Sequence, residues 1–511
     1  MSTRNNRSLS WILMGFLGGI LVSLGISAAA QKGEPLPLKA LQQFANVYGA
    51  IKSSYVEPVS DQTLIDDAIK GLFSDLDPHS VYLDEEAYKQ MQDITRGGFG
   101  GLGIEIGTQD GMPKVIAPIE DTPAARAGIL TGDLITHIDG EPTKGMSLND
   151  AVKKMRGDPG TPIDLTVQRA GSAKPLKFHI VREMIKTRSV RGKMLDDGIA
   201  YVRISQFQDR TTSDLVRMLA SLSKNQTPKG LVLDLRNDPG GLLDGAIGVS
   251  SAFLEPGKLV VSTKGRIPSS NEEFYARPLN GSHGVEDGGQ LPAWTRTVPM
   301  VVLVNVGSAS ASEIVAGALQ DYKRARIIGN RTFGKGSVQS VLQLDKDTGI
   351  KLTTARYYTP SGRSIQNTGV SPDHVVDDSA AGNLFRMQRE VDLQHHLETQ
   401  SGAQAGDADD GDFVQGEIKM FEFGGADDWQ LQQAINALQG RPVRKSDPAL
   451  VRQARAQAQA EGAAGASATP AAEDANNTAR KPAPPEKKTL NNGGDGVERY
   501  RVTPEGLIRV P

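Results

Sequence analysis

The sequence predicts a multidomain protein of mixed α/β and β character, and three observations carry that prediction. Val301-Val302-Leu303-Val304 is a continuous apolar run that leads, through small residues, into a helical pattern with Ile314, Val315, Ala318 and Leu319 on one face. Upstream, IAYVRISQF from Ile199 and GLVLDL from Gly230 read as further strands of one sheet, with a helix from Thr211 to Leu222 between them. Between residues 97 and 182 the pattern changes to short strands, glycine turns and brief helices, which marks a separate β domain.

Composition narrows the classes. At 511 residues the chain is too long for one core, and two to four units are expected. A net charge of −3 gives no basic excess that would argue for nucleic acid as a partner. With no cysteine, the chain can form no disulfide, thiolate zinc site or cysteine nucleophile.

Residues 1–30 read as an export signal. Arg4 and Arg7 precede an apolar stretch from Trp11 to Ile26, and Ala28-Ala29-Ala30 supplies an A-x-A cleavage pattern before Gln31. The same stretch is long enough to remain as a membrane anchor. Either outcome sends the rest of the chain across the membrane and leaves the positive end inside. Residues 31–96 read as helical, since Leu41, Phe44, Tyr48 and Ile51, and then Leu64, Ile65, Ala68, Ile69 and Leu72, recur at a three-to-four spacing. In Leu76-Asp77-Pro78-His79-Ser80, His79 reads as a locally bonded turn residue rather than a catalytic group.

Residues 97–182 begin with Gly100-Gly101-Leu102-Gly103-Ile104-Glu105-Ile106, a glycine loop running into a strand. Glycines let backbone NH groups converge on a carboxylate, and the strand offers an edge to an extended peptide. A short helix ending at Gly128, a strand at Gly132–Ile135 and a helix from Leu148 to Met155 follow. In this order the elements resemble a PDZ domain, which implies that Gly101, Leu102, Gly103 and Ile104 bind a substrate's terminal carboxylate. Alternating apolar positions from Lys177 to Thr187 read as a strand leaving that domain.

Within residues 183–377, Arg236-Asn237-Asp238-Pro239-Gly240-Gly241 closes a strand with a glycine turn. Farther on, Ser308, Ser310 and Ser312 alternate with Ala309 and Ala311 where a helix begins, and the NH groups of a first helical turn point toward developing negative charge. A nucleophile and half an oxyanion hole fit there, with Ser308 and Ser312 read as turn and N-cap residues. A serine nucleophile needs a base. None of His79, His137, His179, His283, His374, His395 and His396 stands in a recognisable catalytic setting, and no G-x-S-x-G motif occurs. Lys335, between Gly334 and Gly336, can serve if burial disfavours its ammonium form.

The strings NVGSASASEIVAGALQD from Asn305 and TFGKGSVQ from Thr332 resemble the signature of the carboxy-terminal processing peptidases, also called tail-specific serine proteases. The resemblance spans roughly Leu38 to Asp377. It implies Ser310 as nucleophile, Lys335 as general base, Gln339 as the residue orienting the lysine, and oxyanion donors at Ala311 and at Gly240 or Gly241. Asp238 stands where the family pattern leads one to expect asparagine, and a carboxylate beside a developing anion is unfavourable unless it points away.

The resulting expectation is a PDZ domain inserted before or within an α/β serine-lysine protease core, acting as an exported endopeptidase on free carboxy-terminal tails in the bacterial cell envelope, in the periplasm. No metal or organic cofactor is implied. Partners expected besides protein or peptide substrates are the membrane at the amino terminus, further copies of the chain, and an adaptor or activator protein. A catalytically silent PDZ adaptor, the rival reading, calls for loss of Ser310 or Lys335, and both are present. Residues 378–511 are expected to be largely disordered, with short helices at Arg389–Leu393 and Trp429–Leu438, because Ser401–Gly411 and Ala454–Gly496 are too poor in apolar residues to pack.

Overall fold

The computed structural model describes residues 37–109, 111–119, 121–169, 171–172, 174–186, 188–279, 290–384, 388–399, 421–454 and 456, and the backbone of 499–503 and 506–510. The export signal, His283, and the polar stretches from 401 to 420 and from 457 to 498 lie outside the described residues. No helix among the described residues is long and apolar enough to cross a membrane.

The chain divides into two compact units between Leu72 and Phe73. The first holds the expected helices, α1 (Leu38–Ser54) and α2 (Asp61–Gly71). Ser60 caps α2 by accepting the Thr63 NH at 3.1 Å, and Lys52 of α1 reaches Asp61 at 2.7 Å.

The second unit opens with a turn at Asp77–Ser80, then β1 (Val81–Leu83) and α3 (Glu85–Arg96), which Asp84 caps and Gly97 ends in the left-handed region. The β domain follows as β2 (Gly98–Gly101), β3 (Ile104–Gln109), β4 (Met112–Pro118), α4 (Pro123–Ala127), β5 (Leu134–Ile138), β6 (Glu141–Pro142), α5 (Leu148–Met155), β7 (Pro162–Gln168) and β8 (Leu176–Val181). Its sheet runs β3-β4-β5-β7-β8, so β3 is an edge strand. Leu102, Val115, Ile129, Ile135, Ile163, Leu165, Val167 and Ile180 form its core. The segment expected to leave the domain divides in two. β8 pairs with β7 and completes the sheet, and β9 (Glu183–Lys186) makes the exit by pairing with β2. Entry and exit strands are thereby zipped together, which lets one compact module sit within another domain.

The α/β core continues as β10 (Val190–Met194), β11 (Ile199–Ile204), α6 (Thr211–Leu222), β12 (Gly230–Asp234), α7 (Leu243–Ser251), β13 (Leu259–Gly265), β14 (Glu273–Tyr275), β15 (Met300–Val304), α8 (Ala311–Asp321), β16 (Arg326–Gly329), β17 (Ser337–Gln343), β18 (Gly349–Tyr358) and β19 (His374–Val375). One sheet runs β10-β11-β12-β15-β16-β19, parallel from β11 onward, as its continuous apolar strands require. The other runs β1-β18-β13-β14, with β17 on β18. Because β1 precedes the β domain yet pairs with β18, the core is built from chain on both sides of the insertion.

The extension after residue 377 is not wholly separate from this core. Helix α9 (Trp429–Leu438) buries Leu431, Ala434 and Ala437 against Ile199, Tyr201, Val232, Val301, Leu303 and Ile328. A parallel sheet buries both faces, and α9 supplies the cover that the crossover helices leave to be made on this side. Near Arg389 the structure forms a single 3-10 turn at Glu390–Asp392, with Glu390 buried. At the carboxy terminus β20 (Arg499–Thr503) and β21 (Gly506–Val510) pair as a hairpin.

Candidate active site

The chain turns sharply between β15 and α8, and Ser310 sits at the turn with φ 54° and ψ −112°. A non-glycine residue with positive φ is strained and persists only where its surroundings hold it. This is the conformational logic of a nucleophile elbow, realised without the G-x-S-x-G motif. The neighbouring serines hold the turn. Ser308 Oγ donates to Leu235 O at 2.8 Å and accepts the Asn305 NH, while Ser312 Oγ donates to Asp238 O at 2.9 Å. Ser308 is therefore the turn residue expected, but Ser312 is the second residue inside α8, and Ser310 itself occupies the N-cap position.

Opposite the elbow lies the loop after β12. A Cβ on Gly240 would stand 2.9 Å from Ser310 Cβ and from Ala311 N, and 2.7 Å from Ala309 O, so only glycine permits this approach. The Gly240 NH donates to Asp238 Oδ1 at 2.9 Å. Asp238 is wholly buried, its Oδ2 has no hydrogen-bond partner, and burial pushes its carboxyl well above the usual carboxylate range. The unfolded chain gives up this proton near pH 4 while the folded chain retains it, so this group costs stability increasingly as pH rises from there toward its folded value. Asp238→Asn keeps the acceptor for Gly240 and removes the buried acid. It should raise Tm at pH 8 and change Tm much less at pH 4. Thermal melts of both proteins at the two pH values decide this, and an equal shift at both would contradict it.

Glu313, in the first turn of α8, is a residue of the site to which the sequence reading assigns no role. Its Oε2 accepts the Ser310 NH at 2.8 Å and the Lys335 NH at 2.9 Å; its Oε1 accepts the Gly334 NH at 2.7 Å and the Thr332 hydroxyl at 2.5 Å. The carboxyl is completely buried, and burial raises its pKa to about 7. One oxygen thus holds the backbones of the expected nucleophile and the expected base. A glutamate three residues after the elbow serine is the sequence signal, since that position reaches back to the N-cap amide. Lys335 is half-buried, and its carbonyl accepts the buried Tyr357 hydroxyl. The Ser310 side chain lies near that phenol.

Ser310, Ala311, Gly240 and Lys335 are thus gathered around Glu313 and the loop at Asp238. Gly241 adjoins Phe207, whose carbonyl oxygen a Cβ would meet at 2.0 Å. Gln339 stands on β17, where its Nε2 donates to Ser337 Oγ at 2.9 Å and Thr353 Oγ1 at 3.2 Å. Gly101, Leu102, Gly103 and Ile104 lie in the β domain at the start of its edge strand. Leu102 O accepts the Ala124 NH, and Gly103 O accepts the Ile119 NH and the Thr122 hydroxyl, which fixes the loop. At the end of β12 the buried Arg236 pairs with Asp234 and with Asp428, each at 2.6 Å, so the segment before α9 anchors the strand that leads into the Gly240 loop.

A strained serine at a helix N-terminus, facing a glycine loop, fits a serine-type hydrolase, and an inserted domain with an open strand edge fits one whose substrate is a polypeptide. Residues 198–376 match the model of peptidase family S41, residues 114–169 that of a PDZ domain, and residues 23–87 that of the activating protease CtpB N-terminal domain. The carboxy-terminal-processing protease of Bartonella bacilliformis is 42% identical over 445 residues, which cover 85% of this chain and 97% of that protein. The carboxy-terminal processing protease CtpA of Bacillus subtilis is 35% identical over 347 residues, covering 68% and 71%. Among solved structures, the photosystem II D1 C-terminal processing protease is 31% identical, covers 66% of this chain and 87% of its own, and superposes with a TM-score of 0.38. The chain belongs to the carboxy-terminal processing proteases of peptidase family S41, serine-type peptidases that here carry a PDZ domain.

Proposed function

We propose that this protein is an endopeptidase of the bacterial cell envelope that holds free carboxy-terminal tails in its PDZ domain and cuts them with a Ser310–Lys335 dyad. The observation that carries the dyad is the single Glu313 oxygen that accepts both the Ser310 and the Lys335 amide. Neutral Lys335 takes the Ser310 Oγ proton as that oxygen attacks the scissile carbonyl, then returns it to the leaving amine; water releases the acyl group by the same route. The Ala311 NH, at the open first turn of α8, meets the oxyanion. The second donor comes from Gly240 or Gly241. Gly240 contributes when its NH exchanges Asp238 Oδ1 for the oxyanion. Gln339 orients the lysine through its amide oxygen, since Ser337 and Thr353 take up its NH₂ and thereby set the plane of the amide.

The envelope location rests on the pattern of residues 1–30, as a cleaved signal or as an anchor. The match of residues 23–87 to an activating protease's N-terminal domain supports a protein partner, or a second copy of this chain, at the helical region. Tail recognition is tested by amidating the substrate. A peptide with an apolar free carboxy terminus should have a KM about tenfold lower than its amide, because an amide forfeits the charge-assisted bonds to the Gly101–Ile104 loop. Equal kinetics for the two peptides would remove the carboxylate-binding role.

A further inference from the structure

The Asp77–Ser80 turn, which the dyad does not use, reaches the lysine segment by two hydrogen-bond chains. In one, the His79 ring bonds Glu390 Oε2 at 2.7 Å, Glu390 Oε1 accepts Gln366 Nε2 at 3.0 Å, and Gln366 Oε1 accepts the Gly336 NH at 2.9 Å. Gly336 follows Lys335 directly. Glu390 and Gln366 are completely buried, and the Glu390 NH also donates to Phe333 O, just before the lysine loop. In the other, Asp77 Oδ1 accepts the Thr353 hydroxyl at 3.0 Å, and Thr353 Oγ1 accepts Gln339 Nε2. Ser80 adds a bond from the Thr353 NH to its Oγ at 3.0 Å, while Asp77 gathers the His79 NH, the Ser80 NH and the Ser80 hydroxyl.

We infer that the Asp77–Ser80 turn is a positioning element for the general base, with His79 and Asp77 as positioning residues that act through Glu390–Gln366 and through Thr353–Gln339. The inference rests on the Ser310–Lys335 reading. Buried hydrogen-bond chains transmit position because each member is left unsatisfied if its neighbour moves. Lys335 sits between two glycines, so its own loop offers little stiffness, and the two chains fasten the residues on its carboxy-terminal side. His79 therefore reaches beyond its local turn, although it touches no reacting atom.

The test uses the full chain and a peptide with an apolar free carboxy terminus. His79→Ala should lower kcat about 10- to 100-fold, the scale of a small misplacement of a reacting group, and leave KM within twofold. His79→Gln, which offers an NH where the imidazole nitrogen stood, should recover most of that kcat. Asp77→Ala should lower kcat with KM likewise unchanged, and labelling of Ser310 by a fluorophosphonate should slow in step with kcat. The positioning role is overturned if His79→Ala and Asp77→Ala both keep kcat within twofold. It is equally overturned if His79→Gln matches His79→Ala in both lost kcat and lowered Tm, which marks a purely structural role. Lys335→Arg is run alongside. Full turnover in that variant removes the dyad itself, whereas loss of turnover there with normal kcat in His79→Ala overturns only the positioning role.

Discussion

Lys335→Arg is expected to fold, bind carboxy-terminal tails and fail to cut them, with kcat lowered about 10⁴-fold or more. An ammonium group in a partly desolvated site can shed its proton; a guanidinium cannot do so near neutral pH, however it is buried. The substitution keeps approximate length and alters only the side chain, so the bonds that the Lys335 NH and carbonyl make to Glu313 and Tyr357 are preserved, and the backbone of the site should stay as it is. Lys335→Ala should lose as much. Ser310→Ala should be no worse than either, because residues acting as one catalytic unit do not contribute additively. Gln339→Ala should be milder, since that residue only orients the base. Single-turnover cleavage of a tailed substrate, together with tail affinity measured by fluorescence anisotropy, separates chemistry from binding. Near-normal turnover in Lys335→Arg would make the serine-lysine assignment wrong and direct attention to a histidine as base.

Glu313→Gln is the second substitution with a large expected effect, about 100-fold or more in kcat, at nearly constant side-chain volume. The carboxylate accepts four bonds through two oxygens, and all four partners are donors. An amide must turn its NH₂ either toward the Ser310 and Lys335 amides or toward Thr332 and Gly334, so one pair loses its acceptor and meets another donor. The dyad backbone then spreads or the lysine loop lifts. The same reasoning sets a pH dependence. With its pKa raised to about 7, Glu313 carries a proton on the acid side, one oxygen ceases to accept, and cleavage should fall as pH drops through 7.

Stability runs the other way. Because the folded value lies above the ordinary value of 4.5, this group costs stability progressively as pH rises from 4.5 to about 7, and no further above that. The glutamine variant should lack that slope. A Glu313→Gln enzyme with kcat within fivefold of wild type at pH 8 would show that the shared carboxylate does not hold the dyad.

Much of the site was legible in the chain because it is written locally. Ser310 and Ala311 lie in one short string, Gly334-Lys335-Gly336 in another, and both adjoin strands whose continuous apolar runs mark a buried parallel sheet. The β domain could be read for the same reason: a glycine loop, a strand, a short capped helix and a second helix follow one another without interruption. The extension was less legible. WQLQQAINAL looks amphipathic and polar, yet Gln430 and Gln433 are buried, because Val376 O accepts the Gln430 amide and Gln433 Oε1 accepts the Arg444 NH. Composition counts a glutamine as exposed, and a satisfied glutamine is not.

By itself, then, the sequence determined the elements, their order and the two short strings that hold the expected nucleophile and base. Those depend on periodicity, turn chemistry and spacing within a few residues, which act before any long-range contact forms. Only the tertiary structure decided what holds those strings in place. Glu313 meets Thr332, Gly334 and Lys335 across a helix and a loop; Arg236 meets Asp428 across 192 positions of the chain, and His79 meets Glu390 across 311. The positive φ of Ser310 belongs with these, since serine does not favour it. The distant partners that steady a buried charge or a strained turn have no local signature, because folding supplies them.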